Sequence, residues 1–335
     1  MSPQSPQPVP ENRQAPGVPT RPDSGPEGGG PRRERGPGGY AAGPERARDD
    51  EVFEQYRPLL TGLAYRLLGS MWDAEDIVQD AYLRWTRTDT ATVREPRAFL
   101  ATVTSRLALD QLRSARVTRE AYIGPWLPEP VPTGELGPLD TAELRDTVSY
   151  ATVHLLQRLS PPERAVFVLR EAFALPYEDI AGVVGGSVAG CRQTYHRARG
   201  HLDRDDKRFT ASREDHVRLL ERFLTAATSG DLSQLTALLS EDVVSWNDGG
   251  GRVRAALRPI RGRKKVVAFL SALAGRHTVS VDSLVDVNGA PALWLGADDR
   301  QQCLTLDIGE GGVVRGIYIV LNPDKLTRVR AAAGA

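Results

Sequence analysis

The segment 245–262, SWNDGGGRVRAALRPIRG, combines residue types that are typical of a small-molecule pocket. Trp246 and Asp248 lead into three glycines, and five arginines follow between 252 and 263. A carboxylate beside a cavity can act as a general acid or base, and arginines bind anionic ligands. The same residues also suit a hairpin loop in which the glycines allow positive φ and Asp248 caps the turn. Both interpretations are open.

Enzymatic chemistry in this part of the chain would need a partner for Asp248, and the candidates are few. His216 and His277 are the only histidines beyond residue 205, and neither shares a motif with Asp248. A single histidine is more often structural than catalytic. We therefore expect no catalytic residue and no enzymatic activity, and an enzyme that uses an acid/base pair in a cavity remains the alternative. The other acids on or beside predicted strands are Asp242, Asp282, Asp286 and Asp307.

A second kind of chemistry, DNA recognition, is indicated by residues 176–202, PYEDIAGVVGGSVAGCRQTYHRARGHL. A short helix to Val184, a Gly-Gly turn and a second helix capped by Ser187 fit a helix-turn-helix. One face of the second helix is apolar and should pack inward, whereas the opposite face carries groups that reach phosphates and base edges. A solvated basic face on a helical bundle is the alternative. The candidate DNA-binding residues are Arg192, Gln193, His196, Arg197 and Arg199.

Helical periodicity also dominates the first part of the chain after a proline- and glycine-rich start. Apolar residues recur at helical spacing over 51–68, and Ser70 with Asp73 forms a capping-box pattern that opens a second helix. Pro96 begins a third helix, which runs to about 117 with arginines off its apolar stripe. The second helix, DAEDIVQDAYLRW, has an acidic and polar face for which a pure DNA binder has no evident use.

After Ser212 the pattern changes to one helix followed by short β-branched runs, with another helix at 262–274. Asn-Gly, Asp-Asp and Gly-Gly pairs separate the last four runs and predict hairpins. Helices first and hairpins afterwards indicate a separate α+β domain. The predicted strands are 242–246, 252–257, 278–287, 291–296, 301–308 and 313–321.

Composition limits the remaining possibilities. A chain of 335 residues is long enough for two or three domains, and its formal net charge of zero means that any basic surface must be local. Two cysteines without a nearby metal-ligand partner predict buried thiols, no metal and no cofactor. No apolar run of about 18 residues and no signal peptide is found, so we expect a cytoplasmic protein that does not enter a membrane.

The two helical blocks together resemble the extracytoplasmic-function sigma factors of bacterial RNA polymerase. GLAYRLLGSMWDAEDIVQDAYLRW and PRAFLATVTSRLALDQLRSAR resemble sigma region 2, and LPYEDIA with CRQTYHRAR resembles region 4. YIGPWLPEPV, DGGG at 248–251 and NPDKL at 322–326 resemble the subgroup with a C-terminal SnoaL-like domain. The implied fold is multidomain: two all-α sigma domains, a helical bundle and a helix-turn-helix, and an α+β SnoaL/NTF2-like cone.

The resemblance divides the chain into six segments and names its partners. The implied partners are the RNA polymerase core and promoter DNA, with a small-molecule ligand or regulator possible at the SnoaL-like domain, and the free protein is expected to be a monomer. The expected segments are a disordered extension at 1–49, region 2 at 50–119, a Pro-rich linker at 120–140, region 4 at 141–208, the SnoaL-like domain at 213–327 and a tail at 328–335.

The resemblance also assigns a role to individual residues. The helix face expected to bind the polymerase clamp carries Asp76, Gln79, Asp80 and Arg84. The residues expected at the −10 element are Arg94, Arg97, Arg106 and Arg113. The helix-turn-helix residues named above match the positions that face the −35 element.

The SnoaL-like domain is expected to act as a built-in control surface rather than as an enzyme. The Pro-rich linker carries Tyr and Trp side chains, which anchor contacts efficiently when they are exposed. An active SnoaL-type isomerase or cyclase and a polymerase-independent helix-turn-helix regulator are the alternatives. The residues expected to make the regulatory contacts are Trp126, Asp248, Gly249, Gly250, Gly251, Asn322, Pro323, Asp324 and Lys325.

Overall fold

A computed structural model describes residues 44–136, 147–203, 211–298 and 300–334 of the chain. The first three helices form an antiparallel bundle: α1 (Pro44–Leu68), α2 (Met71–Trp85) and α3 (Pro96–Glu120). Pro58 lies inside α1, which continues through it. Disorder was expected over residues 1–49, but residues 44–49 are helical because α1 begins at Pro44. Residues 1–43 lie outside the described part of the chain.

The described residues of the second block form the helices α4 (Tyr150–Leu156), α5 (Pro161–Glu171), α6 (Tyr177–Val184) and α7 (Val188–Asp203). Gly185 ends α6 with φ of 74°, a conformation that glycine adopts at no steric cost. Ser187 then caps α7 by accepting a hydrogen bond from Gly190 N at 3.1 Å. The helix-turn-helix is therefore present as the sequence predicts. The sequence predicts helical periodicity from about Thr141 to Leu202, and its first part, 141–146, lies outside the described residues.

The two helical blocks share one hydrophobic core. Leu60 and Leu67 of α1 belong to the same buried cluster as Val166 and Leu169 of α5. The buried Arg164 guanidinium donates to the Leu67 carbonyl at 2.6 Å, which ties α5 to the end of α1. The blocks therefore pack directly against each other and are not held apart by the linker.

A six-stranded sheet and its helices form the C-terminal part, and the strand order is β2-β1-β6-β5-β4-β3. Strand β1 pairs parallel with β6, and the other neighbours are antiparallel. The result is the α+β cone that the sequence predicts. Its elements are α8 (Arg213–Ser229), α9 (Leu232–Leu238), β1 (Leu239–Asp248), β2 (Ile260–Arg261), α10 (Arg263–Ala274), β3 (Val279–Val287), β4 (Ala290–Ala297), β5 (Arg300–Ile308), β6 (Val314–Val320) and α11 (Thr327–Ala333).

Two predictions for the cone are wrong. Residues 252–257 are not a strand, because Arg252 N and Val253 N both donate to the Gly249 carbonyl and fold the backbone into a turn. The strand that pairs with β1 is the two-residue β2. The end of the chain is not a loose tail, since Val329 of α11 is fully buried. Burial of an apolar side chain on one face explains why this short helix forms.

The sheet buries both faces, and each face has its own core. Helices α8 and α10 cover one face, with Leu220, Phe223 and Val266 fully buried against it. The opposite face packs on Leu127 of the linker and on Tyr150 of α4. The cone is therefore joined to the linker and to α4 through an apolar contact on this sheet face.

Candidate latch and nucleic-acid interface

Asp248 stands at the centre of a polar cluster between the cone and the linker. Its side chain is completely buried at the end of β1. One carboxylate oxygen accepts a hydrogen bond from the Tyr122 hydroxyl at 2.6 Å, and the other accepts from Leu127 N at 2.9 Å. Burial and the hydrogen bond to Asp248 raise the pKa of Tyr122 above its usual value, so the phenol remains a donor. Asp248 thus binds the linker through both of its oxygens.

Lys325, which follows the adjacent parallel strand β6, completes this cluster. Its ammonium lies 2.8 Å from Asp248 Oδ2 and donates to the Leu127 carbonyl at 2.5 Å. It also lies over the rings of Trp126 and Tyr122, at 4.2 and 4.8 Å from their centroids. The buried ion pair is therefore compensated by hydrogen bonds and by aromatic faces, as a buried charge requires. We call the group Tyr122, Trp126, Leu127, Asp248, Asn322 and Lys325 the latch.

The three glycines allow the loop to approach this cluster. A Cβ at Gly250 would lie 2.3 Å from Asn322 Nδ2 and 2.9 Å from the Tyr122 hydroxyl, and a Cβ at Gly251 would lie 2.9 Å from the Ile123 side chain. Both glycines also have positive φ, of 58° and 71°. A Cβ at Gly249 would likewise clash with the Val253 carbonyl oxygen. The glycines are thus required by close packing rather than by flexibility.

The NPDKL segment adds a short turn that orients Lys325. Asn322 Oδ1 accepts from Asp324 N, and Asn322 Nδ2 donates to the Tyr122 hydroxyl at 3.0 Å. Pro323 begins the 3-10 turn Pro323–Lys325, and Asp324 forms an exposed ion pair with Arg252 at 3.3 Å. The structure thus brings together all nine residues that the sequence assigned to regulatory contacts, although Pro323 and Asp324 support the turn and do not touch the linker side chains named above.

The linker holds the first helical block with its other side through Glu129, which the sequence did not single out. Glu129 Oε2 accepts from Met71 N at 2.7 Å, at the N-terminus of α2, and Glu129 N donates to the Gly69 carbonyl at 2.8 Å. Burial raises the pKa of the Glu129 carboxyl above its usual value. The linker is therefore bonded on one side to the cone and on the other to α1 and α2.

Asn288, in the turn between β3 and β4, bonds to three segments at once. Its side chain accepts from Val131 N at 3.0 Å and donates to the Tyr65 hydroxyl at 2.7 Å and to the Val148 carbonyl at 2.9 Å. The residue is completely buried and has φ of 54°. The Asn-Gly turn signal predicts its backbone but not these contacts, because the partners are distant in sequence.

Arg328 of α11 was likewise missed, and it reaches the first helical block. Its guanidinium lies 2.5 Å from Glu75 of α2, 2.9 Å from Glu135 and 3.4 Å from Glu129 of the linker. It also stacks over the ring of Trp72 at 5.3 Å. Hydrogen bonding to Glu135 and the nearby carboxylates raise the pKa of Arg328 despite desolvation. Arg328 thus joins the last described helix, α11, to α2 and to the linker.

The candidate −35 residues lie on the outer face of α7. Cys191, Ala198 and Leu202 are buried against the block, as expected, and burial raises the pKa of the Cys191 thiol. Arg192 stacks on Tyr177 at 5.5 Å, and Arg199 donates to the Tyr195 hydroxyl at 3.4 Å. A set of polar side chains is thus held in place by the helix-turn-helix itself and is exposed to solvent: Arg192, Gln193, His196, Arg197 and Arg199.

The candidate −10 residues fall into two groups. Arg94 and Arg97 are exposed at the start of α3. Arg113 pairs with Asp110 one turn away at 3.0 Å. Arg106, by contrast, donates to the Gly182 carbonyl of α6 at 2.7 Å, so it joins the two helical blocks in this conformation.

The candidate polymerase face of α2 is open. Its inner stripe, Ile77, Val78, Ala81 and Trp85, is buried in the bundle. The exposed Leu83 lies beside the polar residues of the outer face, with 42 % of its surface accessible. The exposed polar residues of that face are Asp76, Gln79, Asp80 and Arg84.

The acid/base candidates do not meet at one place. Asp248 points toward the linker, and His216 lies on α8 with its pKa lowered to about 4 by burial. One pair does form: His277 Nδ1 lies 2.6 Å from Asp298 Oδ2, and both side chains are partly exposed. In the part of the chain that the structure describes, no group of three or more His, Cys, Asp or Glu side chains could hold a metal ion.

Comparison with known proteins identifies the family. The Sigma-70 region 2 model matches residues 52–118, and the Sigma-70 region 4 model matches residues 151–202. The ECF RNA polymerase sigma factor SigJ of Mycobacterium tuberculosis H37Rv is 38% identical over 82% of this chain and 92% of its own length. The chain belongs to the ECF sigma factors. It therefore binds the RNA polymerase core and directs transcription initiation at promoter DNA.

Two further relatives agree with this assignment. The probable ECF sigma factor SigI of M. tuberculosis CDC 1551 is 34% identical over 84% of this sigma factor and 96% of its own chain. The crystal structure of M. tuberculosis SigJ superposes with a TM-score of 0.65 at 34% identity and covers 83% of this chain and 98% of that one. The relationship therefore spans both helical blocks and the cone. None of the described helices is long and apolar enough to span a membrane.

Proposed function

We propose that the fused cone restrains this ECF sigma factor by holding its linker in the latch, and that promoter engagement requires the latch to open. The observation that carries the proposal is the position of the linker. Asp248 and Lys325 grip it from the cone, while Tyr65 and Met71 of the first block bond to Glu129 from the opposite side. These bonds tie the first helical block to the cone through the linker, so moving that block away from the cone would break one of the two sets.

The dimensions of a promoter support this proposal. The −35 and −10 elements are about 25 base pairs apart, which corresponds to about 85 Å of duplex at about 3.4 Å per pair. Two helical blocks that share one hydrophobic core cannot occupy both elements at once. The contact between Arg106 and Gly182 also places a −10 candidate against the helix-turn-helix. We therefore assign the latched conformation to the resting state.

The residue roles in this proposal follow the sequence. Region 2 at 50–119 would use the outer face of α2 for the polymerase, and region 4 at 141–208 would use the outer face of α7 for the −35 element. The linker at 120–140 and the cone at 213–327 would form the control device. Because the α2 face is exposed in the latched state, the polymerase can bind before the latch opens.

The cone is proposed to have no catalytic role. Asp248 is neutralised by Lys325 and faces the linker, so it is not available as a general base in a cavity. His277 lines the cavity of the cone and pairs with Asp298, with both side chains partly exposed, so this pair is the feature that the enzymatic alternative would use.

The test is in-vitro transcription with the full-length protein and bacterial core polymerase at a limiting concentration. Asp248→Asn removes the charge that pairs with Lys325, and Asp242→Asn removes an exposed charge from the same strand. We expect the first variant to raise promoter-dependent transcript several-fold and the second to match the wild type. Equal transcript from all three proteins, at equal polymerase binding, would show that the latch does not restrain the sigma factor.

A further inference from the structure

The cone contains a cavity of about 140 Å³, partly open to solvent, between its sheet and helices α8 and α10. Apolar side chains dominate its wall, including Phe223, Phe269, Leu295 and Leu304. A dry apolar cavity of about this size accommodates a molecule of the size of benzene. The cavity is therefore large enough for one small ring.

The polar groups of the cavity indicate the charge of its ligand. Arg254, Arg300 and His277 line it, His277 bonds to Asp298 behind the wall, and none of the described lining residues is itself an acid. Arginine is the side chain that best matches the planar geometry of a carboxylate. Asn247 supplies a buried amide inside the cavity, and its Nδ2 donates to Ser245 Oγ at 3.1 Å. These groups select an aromatic ring that carries one anionic group.

Three segments of the cone contain both residues that line the cavity and residues that contact the linker. At the end of β1, Asn247 lines the cavity and the next residue, Asp248, binds the linker. After β6, Leu321 lines the cavity and the next residue, Asn322, bonds to Tyr122. Successive residues of an extended backbone point to opposite sides, which explains this alternation. A displacement of either segment on the cavity side must therefore move the latch.

The third shared segment is the loop after the glycines. Ala255 and Ala256 line the cavity. The carbonyl of Ala256 and the Cα of Leu257 lie 4.0 and 3.9 Å from the position that a Cβ on Gly124 of the linker would occupy. Gly249 packs against Ala255 in the same loop. The cavity is thus separated from the linker by a single layer of backbone.

We propose that this cavity is a sensor site for a small aromatic carboxylate, of about the size of benzoate, and that its occupancy stabilises the latch. This inference rests on the proposed function, because the latch is the element that it regulates. Because the cavity wall and the contacts to the linker share backbone segments, opening the latch would change the wall, and a ligand fitted to the closed cavity would bind the open form less tightly. Such a ligand shifts the population toward the closed form.

The experiment uses the full-length protein and three probes: benzoate, phenylacetate and the neutral isostere benzamide. Binding is measured by saturation-transfer NMR and by titration calorimetry. Hydrogen exchange of the linker peptide 121–131 reports latch opening, because Leu127, Glu129 and Val131 donate their amide hydrogens to partners outside the linker. At a benzoate or phenylacetate concentration of about ten times Kd, we expect exchange that requires opening to slow about tenfold.

Two variants locate the effect. Ala227→Leu adds a side chain into the cavity from α8, and Ala272→Leu makes the same change on the exposed side of α10. We expect the first to abolish binding and the second to preserve it. Arg254→Gln, at an exposed position that does not endanger folding, should weaken benzoate at least threefold and leave benzamide unchanged.

Several results would overturn the inference. These are no binding of either carboxylate to the wild type, equal binding to Ala227→Leu, equal affinity for benzamide, and linker exchange that is unchanged or faster when benzoate is bound. Each readout is made without polymerase, so the inference can fail while Asp248→Asn still raises transcription. If Asp248→Asn leaves transcription unchanged but benzoate slows exchange, the sensor site stands and the restraint of the sigma factor fails.

Discussion

At the scale of single residues, a few buried polar side chains join the segments of this protein. Asn288 satisfies groups from α1, the linker and the segment before α4, and its positive φ is adopted without glycine. Leaving buried partners unsatisfied costs more than the net strength of the bonds themselves. Such residues should be disproportionately important for stability.

We expect Asn288→Gly to destabilise the protein by about 2–4 kcal/mol, because glycine tolerates the backbone angle but removes three side-chain hydrogen bonds. The matched control is Asp298→Gly, which has a similar φ of 55° in an exposed turn. It should change the free energy of unfolding by less than about 1 kcal/mol. Urea denaturation of both variants measures the difference, and equal effects would mean that the Asn288 contacts contribute nothing.

His154 makes the stability dependent on pH. Burial, together with the Arg158 charge, lowers the pKa of this imidazole to about 4, and its ring packs edge-on against Trp246 and Tyr318. The unfolded chain binds the proton at about pH 6.5, whereas the folded protein does so only near pH 4. Between these values the unfolded state binds more protons, so stability falls as the pH is lowered.

We therefore expect the free energy of unfolding of the wild type to decrease more steeply than that of His154→Phe from pH 6.5 to pH 4. Above pH 7 the two slopes should be alike, since the His154 imidazole is unprotonated there in both the folded and the unfolded wild type. Denaturation curves at half-unit pH intervals measure both slopes. Parallel curves across the acidic range would show that the protonation of His154 is not coupled to folding. His216, whose pKa is also lowered to about 4, is present in both proteins and therefore contributes equally to both curves.

At the scale of elements, the recognition helix α7 separates two roles that sequence alone assigns together. Gln193 can form a bidentate contact with a base edge, whereas Arg197, which lies 3.9 Å from Glu163, is suited to a phosphate. The helix holds both on one exposed face because its other face is buried. The consequences of removing each side chain should differ in kind.

We expect Gln193→Ala to relax specificity at one position of the −35 element, with a loss of about 1–3 kcal/mol for the preferred base. Arg197→Ala should weaken binding to all sequences uniformly and reduce the slope of log K against log salt by about 1. Binding of polymerase holoenzyme to promoter variants over a range of salt concentrations measures both. Identical sequence preferences for the wild type and Gln193→Ala would exclude base reading by Gln193.

At the scale of the whole molecule, the latch should determine how compact the free protein is. Residues 44–334 form one body whose parts are joined by the latch, by Asn288 and by Arg328. A compact body of about 290 residues has a radius of gyration of about 19 Å. Loss of the buried Asp248–Lys325 pair leaves an uncompensated charge, which favours an open form.

We expect small-angle scattering to give a larger radius of gyration for Asp248→Asn than for the wild type, in chains that both begin at Pro44. Asp242→Asn should scatter like the wild type, because its carboxylate is exposed. The three proteins should have similar circular dichroism, since opening the latch breaks no helix. Superimposable scattering curves for all three would mean that the latch does not control opening.

Much of the fold can be predicted from the sequence, because its signals are local. Ser70, Ser187 and the Gly185–Gly186 pair mark helix ends through bonds to residues within a few positions. Residues 252–257 were predicted as a strand, but two hydrogen bonds to the Gly249 carbonyl fold the start of this segment into a turn. Strand propensity does not predict such bonds. The residues predicted to make regulatory contacts lie close together because their motifs surround the Asp248 carboxylate, and their regulatory role stays a prediction.

What the sequence determined by itself was the set of elements and the faces they present: the polar face of α2, the basic face of α7, and the glycine loop beside Asp248. Only the tertiary structure decided which of these faces meet. The roles of Glu129, Asn288 and Arg328 depend on partners more than fifty residues away, and no periodicity or cap encodes such a distance. Contacts of this kind depend on how the cone packs on the linker and helices, because a buried polar group is stable only where folding brings it a partner.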